Sequence, residues 1–247
     1  METSEYKNMY EQEESHFYYV SLHNLVCDLI SRYSNNKFPI KILDAGCGTG
    51  ALVKKLERFG HVSGIDNNKT AVSLCKRRDL DVSLGSITNL RFKNNVFDIV
   101  TCMDVLVCKE VKTDIKALNE IFRVLKPGGL IIIRVSANKW LKLKHDKHVH
   151  STRRYTVAEL ESKIQQSNFR IMKVSYINAV LLPVVVIKSL FEYFFPSKEI
   201  ASNISKVNPI VNFIVKALLN LENKLSIYMR LPFGLGLIVV AQKPFYK

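Results

Sequence analysis

The chain is expected to fold as an α/β protein, with one open, mostly parallel sheet and helices on both faces. Three observations predict it. Short apolar runs alternate with helical patterns along most of the 247 residues. The run Ile40-Lys41-Ile42-Leu43-Asp44-Ala45-Gly46-Cys47-Gly48-Thr49-Gly50 ends a strand in three glycines at two-residue spacing. Val62-Ser63-Gly64-Ile65-Asp66 is a second strand whose carboxylate lies 22 residues after Asp44.

The elements follow in order. Leu25, Val26, Leu29 and Ile30 form the buried stripe of a helix over Leu22 to Tyr33. The first strand ends at Leu43, and a helix through Leu52, Val53 and Leu56 is stopped by Gly60. Lys69 to Arg77 reads as a third helix and Val82 to Leu84 as a third strand. Val96 to Cys102 is the fourth strand, followed by a helix over Asp114 to Leu125 that Lys126-Pro127-Gly128-Gly129 terminates. Leu130 to Val135 is continuously apolar except for Arg134, as a central parallel strand would be. Thr156, with Glu159 three positions on, opens a helix ending near Ser167. Phe169 to Tyr176 and Leu235 to Gln242 complete seven strands.

Between those last strands lie 56 residues, Ile177 to Pro232, far more than a hairpin needs. The apolar runs from Ile177 and from Pro209 read as two helical pieces over the sheet's ligand-binding end. Neither reaches the roughly 20 residues that cross a bilayer. They form either a sealed apolar lid over a substrate pocket or a face open to lipid. With 47% apolar and 23% charged residues the chain needs no metal or disulfide staple. Its five cysteines make no C-x-x-C pair, and Met1 to Glu14 is polar, so reduced thiols and a cytoplasmic location are expected. The net charge of +14 suits an anionic membrane surface or an anionic substrate better than nucleic acid, because no nucleic-acid module is recognisable.

The glycine turn allows backbone amides to approach a ligand, with the free N–H groups of the next helix facing it. A carboxylate at the end of the neighbouring strand can accept two bonds from a ribose diol. The spacing is neither a nicotinamide nor a phosphate-loop fingerprint.

Leu43 to Gly50 together with Gly64-Ile65-Asp66 resembles the cofactor site of the Rossmann-like, class I S-adenosylmethionine-dependent methyltransferases. Phe97 to Cys102 resembles that family's fourth strand, and Glu120 to Gly129 its approach to the fifth. The resemblance covers roughly residues 38 to 136. It implies S-adenosyl-L-methionine as cofactor and S-adenosyl-L-homocysteine as product. It also implies a site made by Asp44, Gly46, Cys47, Gly48, Asp66, Asn67, Ser86, Ile87 and Met103, with Asp66 on the ribose and Ser86-Ile87 bordering adenine. Ser86 stands where relatives carry an acid, and Asp104-Val105-Leu106 lacks the histidine often found after the fourth strand.

A narrower resemblance joins Glu13-Glu14-Ser15-His16-Phe17-Tyr18-Tyr19 to His145-Asp146 and His150-Ser151-Thr152-Arg153-Arg154-Tyr155-Thr156, a pattern of a microbial subgroup of these methyltransferases. Arg134 to Tyr155 holds seven Lys or Arg against one Asp, suited to an anionic acceptor. His150, ahead of His145, is the expected general base. His16, Tyr19, Lys142, Arg153, Arg154 and Tyr155 are expected to contact the acceptor, and no metal is expected.

The expected organisation is one domain, 1–247: a helical flap at 1–36, a cofactor-binding core at 37–176, an apolar lid at 177–232 and the last strand at 233–247. The expected reaction is methyl transfer to a small or lipid-linked metabolite, most readily at oxygen, with peripheral membrane contact. A nucleic-acid or protein methyltransferase and a non-catalytic binding protein of the same fold are the alternatives.

Overall fold

The computed structural model describes residues 3–34, 39–141, 153–194 and 207–245. Seven strands form one sheet: β1 Ile40–Ala45, β2 Gly60–Asp66, β3 Val82–Leu84, β4 Phe97–Met103, β5 Leu125–Ser136, β6 Arg170–Ile177 and β7 Gly236–Gln242. Their order is β3-β2-β1-β4-β5-β7-β6. β1 pairs in parallel with both β2 and β4, and β7 is antiparallel to the strands on either side of it. The direction of winding reverses between β1 and β4, and a crevice opens there at the carboxyl ends of the strands.

The helices are α1 Thr3–Gln12, α2 Phe17–Tyr33, α3 Ala51–Leu56, α4 Lys69–Lys76, α5 Asp114–Val124, α6 Val157–Gln166, α7 Leu182–Phe194 and α8 Pro209–Tyr228. Period-two alternation on the strands builds a core on each face of the sheet. Ile42, Ile99, Ile132 and Val240 pack with Leu25 of α2, Val53 of α3 and Ile227 of α8. Leu43, Val100, Ile131 and Val239 face the other way, onto Leu118 of α5 and Leu160 of α6. The doubly wound, mostly parallel seven-stranded fold read from the sequence is therefore the fold observed.

Two boundaries differ from expectation for local reasons. α2 starts at Phe17 rather than Leu22, because His16 caps it: the imidazole Nδ1 accepts from the Tyr18 amide at 3.2 Å. The Lys126-Pro127-Gly128-Gly129 segment is no separate turn but lies inside β5. It pairs with the end of the chain through Gly128 N to Lys243 O (2.8 Å) and Lys243 N to Gly129 O (2.9 Å).

One guanidinium makes several of the contacts that hold α1 and the residue that follows it over the sheet edge. Arg78 donates to the Glu13 carboxylate, to the Thr49 carbonyl at 2.9 Å and to the Tyr10 carbonyl at 3.0 Å, and it stacks 4.2 Å from the Tyr10 ring centroid. Both partners of the ion pair are buried. Removing one of them leaves an uncompensated interior charge. Arg78→Ala should therefore cost about 3 kcal/mol in urea unfolding. It should also expose Lys7 to trypsin well before the core is cut, and equal trypsin resistance would mean that α1 is held by other contacts.

Candidate functional site

Glycine loop and strand ends meet in one cavity of about 510 Å³. Gly46 and Gly50 have φ of +89° and +93°, a region in which a side chain is strained. The loop is fastened to the end of β2: the Gly46 and Cys47 amides donate to the Ile65 carbonyl at 2.8 and 2.9 Å. Gly48 N donates to Asp66 Oδ2 at 3.0 Å. These three amides are thus satisfied within the protein and do not face a ligand, contrary to the expectation above. The amino end of α3 is likewise met by the protein itself. Glu13 accepts from the Thr49 hydroxyl and the Ala51 amide there, placing an anion where the helix leaves donors unpaired.

Five carboxylate residues line this cavity, Glu13, Asp44, Asp66, Asp104 and Glu110, and the first three meet at the glycine loop. Asp66 accepts from Gly48 N, from Asn68 N at 2.9 Å and from the Tyr6 hydroxyl at 3.4 Å, yet burial still raises its pKa. Burial likewise raises Glu13, against the opposing pull of Thr49 and Arg78. Asp44 is pushed up to about 7, chiefly by burial and further by the charges of Asp66 and Glu13, although the Thr101 hydroxyl donates to it at 2.6 Å. A cation entering here gains attraction from all three.

Beyond the carboxylates the wall changes character. Arg134, the one charge in the apolar run of β5, pairs with Asp104 and lies 5.7 Å from the Tyr18 ring centroid. Arg154 lines the same end and donates to the Ala137 carbonyl at 3.0 Å. Leu181, Val184, Val185 and Lys188 bring the start of the insertion into the wall.

All nine residues expected at the cofactor, Asp44, Gly46, Cys47, Gly48, Asp66, Asn67, Ser86, Ile87 and Met103, line the cavity. Of the expected acceptor contacts, His16, Tyr19 and Arg154 line it as well. Arg153 and Tyr155 do not, because both are used by Asp114. This buried carboxylate receives the Arg153 guanidinium, the Tyr155 hydroxyl at 2.8 Å and Lys163 at 2.8 Å. Tyr155 also donates to the Leu106 carbonyl at 3.2 Å, so these two residues tie the chain beyond β5 to α5. Lys142, His145 and His150 lie outside the described residues.

Tyr6, Met9 and Asp104 also line the site and were not foreseen. A lone tyrosine in a polar amino-terminal segment carries no signal. Arg134 did carry one, as the single charge in an apolar strand.

The fold agrees with the comparisons. Residues 43–133 match the methyltransferase domain family model. An uncharacterized protein of Methanocaldococcus jannaschii is 30% identical over 186 residues, which is 72% of this chain and 78% of that protein. A demethylmenaquinone methyltransferase of Leptospira interrogans is 31% identical over 138 residues, 49% of this chain and 55% of the enzyme, so the chain matches about half the length of that relative. Among solved structures, an S-adenosylmethionine-dependent methyltransferase from Thermotoga maritima superposes with a TM-score of 0.62 at 18% identity, covering 97% of this chain and 95% of that one. The chain belongs to the class I S-adenosylmethionine-dependent methyltransferases.

The residues present fit that cofactor. A Cβ on Gly48 would approach Met9 Cε to 3.0 Å, and one on Gly64 would come within 2.7 Å of Val82, so the bare backbone at these points keeps the cradle narrow and open. The carboxylate cluster suits a ligand carrying positive charge. In the ligand-free protein Asp44 also generates a pH dependence. Its folded pKa lies above the ordinary carboxylate value, so its contribution to stability is complete below about pH 4 and is lost as the pH rises through about 7. Thermal melting should show this loss, at most about 4 kcal/mol, and Asp44→Asn should flatten it. Parallel stability-pH curves for the two proteins would remove Asp44 as its source.

Proposed function

We propose that this methyltransferase acts on a small or lipid-linked metabolite with a polar or anionic head, at an oxygen nucleophile. The observation that carries this reading is the two-sided cavity, with carboxylates at the glycine loop and Arg134, Arg154 and the aliphatic start of α7 beyond them. S-adenosyl-L-methionine supplies an electrophilic methyl group on a sulfonium. In our reading Asp66 accepts the ribose hydroxyls, Ser86 and Ile87 border adenine, and Asp44 compensates the positive charge of the methionine end. Tyr6 and Met9 of α1 close over the site as part of the 1–36 flap.

Much of the rate gain in such a transfer comes from holding two reactants in line, and the site must also accept the proton of a hydroxyl acceptor. Two histidines on the cavity wall are poor bases. His16 Nδ1 is occupied as an acceptor, so its remaining nitrogen carries the proton and donates, and burial lowers its pKa. His23 is pushed down to about 3 by burial, with help from Lys55 and Arg78. This leaves the base to His150, ahead of His145, with Lys142 assisting at the acceptor, and gives His16, Tyr19 and Arg154 the task of holding the head group. An oxygen that is already ionised needs no base. The demethylmenaquinone methyltransferase relative gives independent support for a hydrophobic acceptor. Peripheral attachment to the bilayer holding such an acceptor belongs to the same reading.

Calorimetric titration with S-adenosyl-L-methionine tests the cofactor assignments. Asp66→Ala should weaken binding by roughly 2–3 kcal/mol, since it removes charge-assisted bonds from a buried site. Affinity should fall as the pH drops below about 7, where the ligand must displace a proton from Asp44, and Asp44→Asn should abolish that trend. An Asp66→Ala protein that binds as tightly as its parent would falsify the ribose assignment. The acceptor class is tested by transfer of labelled methyl to amphiphilic phenols and carboxylic acids in detergent micelles, beside their water-soluble head groups. Faster transfer to the head groups alone would overturn the lipid-linked reading.

A further inference from the structure

α8 turns a mixed side inward and an apolar side outward. Leu219 and Ile227 are buried on the inward side, and the polar groups beside them bond to the protein. Asn212 accepts from Phe17 N at 2.7 Å and donates to the Ser15 carbonyl at 3.0 Å. Asn220 accepts from Asn24 at 3.2 Å, and Asn223 donates to the Ser21 carbonyl at 2.9 Å. Glu222 receives the Ala179 and Val180 amides at 3.0 and 2.9 Å, tying α8 to the chain just before α7. The outward side is apolar: Ile210, Phe213 and Leu221 are 69%, 67% and 59% exposed. α7 also carries exposed apolar side chains, with Ile187 67% and Phe191 63% exposed. A helix lying on a water-soluble domain normally presents these sides the other way round. Here the inward hydrogen bonds lock the orientation, because turning the helix over would bury the aliphatic stripe only by stripping four polar side chains of their partners. Exposed apolar surface on this scale marks a binding face.

The charges identify what it binds. α7 and α8 carry Lys188, Lys216 and Lys224 against Glu192 and Glu222, and Glu222 is buried. Arg230 follows α8, Arg32 stacks 4.8 Å from the Tyr228 ring centroid, and the whole chain carries +14. Lysines on helices that expose an apolar face suit an anionic leaflet, because their stems are long enough to reach the head groups, while a second copy of this chain would bring lysine against lysine. Among the described residues no helix is long and apolar enough to cross a membrane, so the helices lie in the interface rather than through it. α7 also serves the site, since Val184, Val185 and Lys188 line the cavity while Ile187 and Phe191 face outward.

We infer that the outer faces of α7 and α8 dock this enzyme on an anionic lipid leaflet, and that the acceptor enters the cavity from that leaflet past α7. The inference rests on the reading of the acceptor as an amphiphile. Its test is co-sedimentation of the full chain with phosphatidylcholine vesicles, with and without about a third phosphatidylglycerol, at low and high salt. Binding should be at least tenfold stronger to the anionic vesicles and should weaken with salt. The double variant Ile187→Glu, Phe213→Glu should lose binding tenfold or more while titrating S-adenosyl-L-homocysteine like the parent. Should that variant fail to fold, Phe213→Trp in a Trp140→Phe background reports the same contact through quenching by brominated acyl chains. An unquenched Trp at 213, equal recovery of parent and variant on anionic vesicles, or a lipid-free dimer broken by the same two changes would each overturn the docking face. Micelle assays of methyl transfer contain no bilayer, so a failure of docking is distinguishable there from a failure of the acceptor reading.

Discussion

Three of the cavity's carboxylates, Glu13, Asp44 and Asp66, meet at the glycine loop, and the local architecture can be read as the means of keeping them there. Like charges brought together out of water repel and lose hydration, so each needs its own compensation. Asp66 takes backbone amides from the glycine loop and from the start of α4. Glu13 takes a guanidinium, a hydroxyl and the amino end of α3. Asp44 receives one hydroxyl and is left with its proton half bound near neutral pH. The least compensated member of the cluster lies at the end of β1, beside the crevice where the winding of the sheet reverses. On the proposed assignment a positively charged cofactor would supply the missing compensation, so binding and structural relief would be the same event.

The geometry also explains why α1 belongs to the site and is not an appendage. Tyr6 reaches Asp66, and Glu13 sits on the first turn of α3. Both contacts are polar, and the apolar anchor of the helix among the described residues is small: Tyr6 with Ala71 and Leu74, and Tyr10 packed against them. An element held mainly by charge and by few buried apolar contacts opens more easily than the core it covers. That suits a cover that must admit a cofactor and release a product.

Legibility in the sequence followed the range of the interactions. The glycine loop, the strand-end Asp66 and the alternating cores depend on backbone conformation and period, which neighbouring residues determine. Tyr155 was expected at the acceptor because a tyrosine in a basic run looks like a ligand contact, and the structure places it away from the cavity wall. Its hydroxyl partner, Asp114, lies 41 positions earlier and shows only when α5 and the chain beyond β5 meet. Glu13 stood in the acidic-histidine-aromatic segment, but its role required Thr49 and Arg78, 36 and 65 positions away. The free amides expected at the glycine turn are consumed by Ile65 and Asp66, a pairing that depends on how deeply the loop tucks against β2.

The insertion shows the same limit from the other direction. Its aliphatic periodicity was plain, and periodicity alone says that a helix has an apolar side, not which side meets the protein. Burying the apolar side is the ordinary outcome because hydration disfavours its exposure. Here the decision goes to Asn212, Asn220, Glu222 and Asn223, whose partners are main-chain and amide groups at the start of α2, within α2 and just before α7. Leaving several buried polar groups unpaired costs more than leaving a few aliphatic side chains wet. The cost of wetting that stripe is then removed only by an apolar surface outside the molecule. On the docking reading, that surface is a second, hydrophobic phase, against which the insertion would reach its lowest free energy.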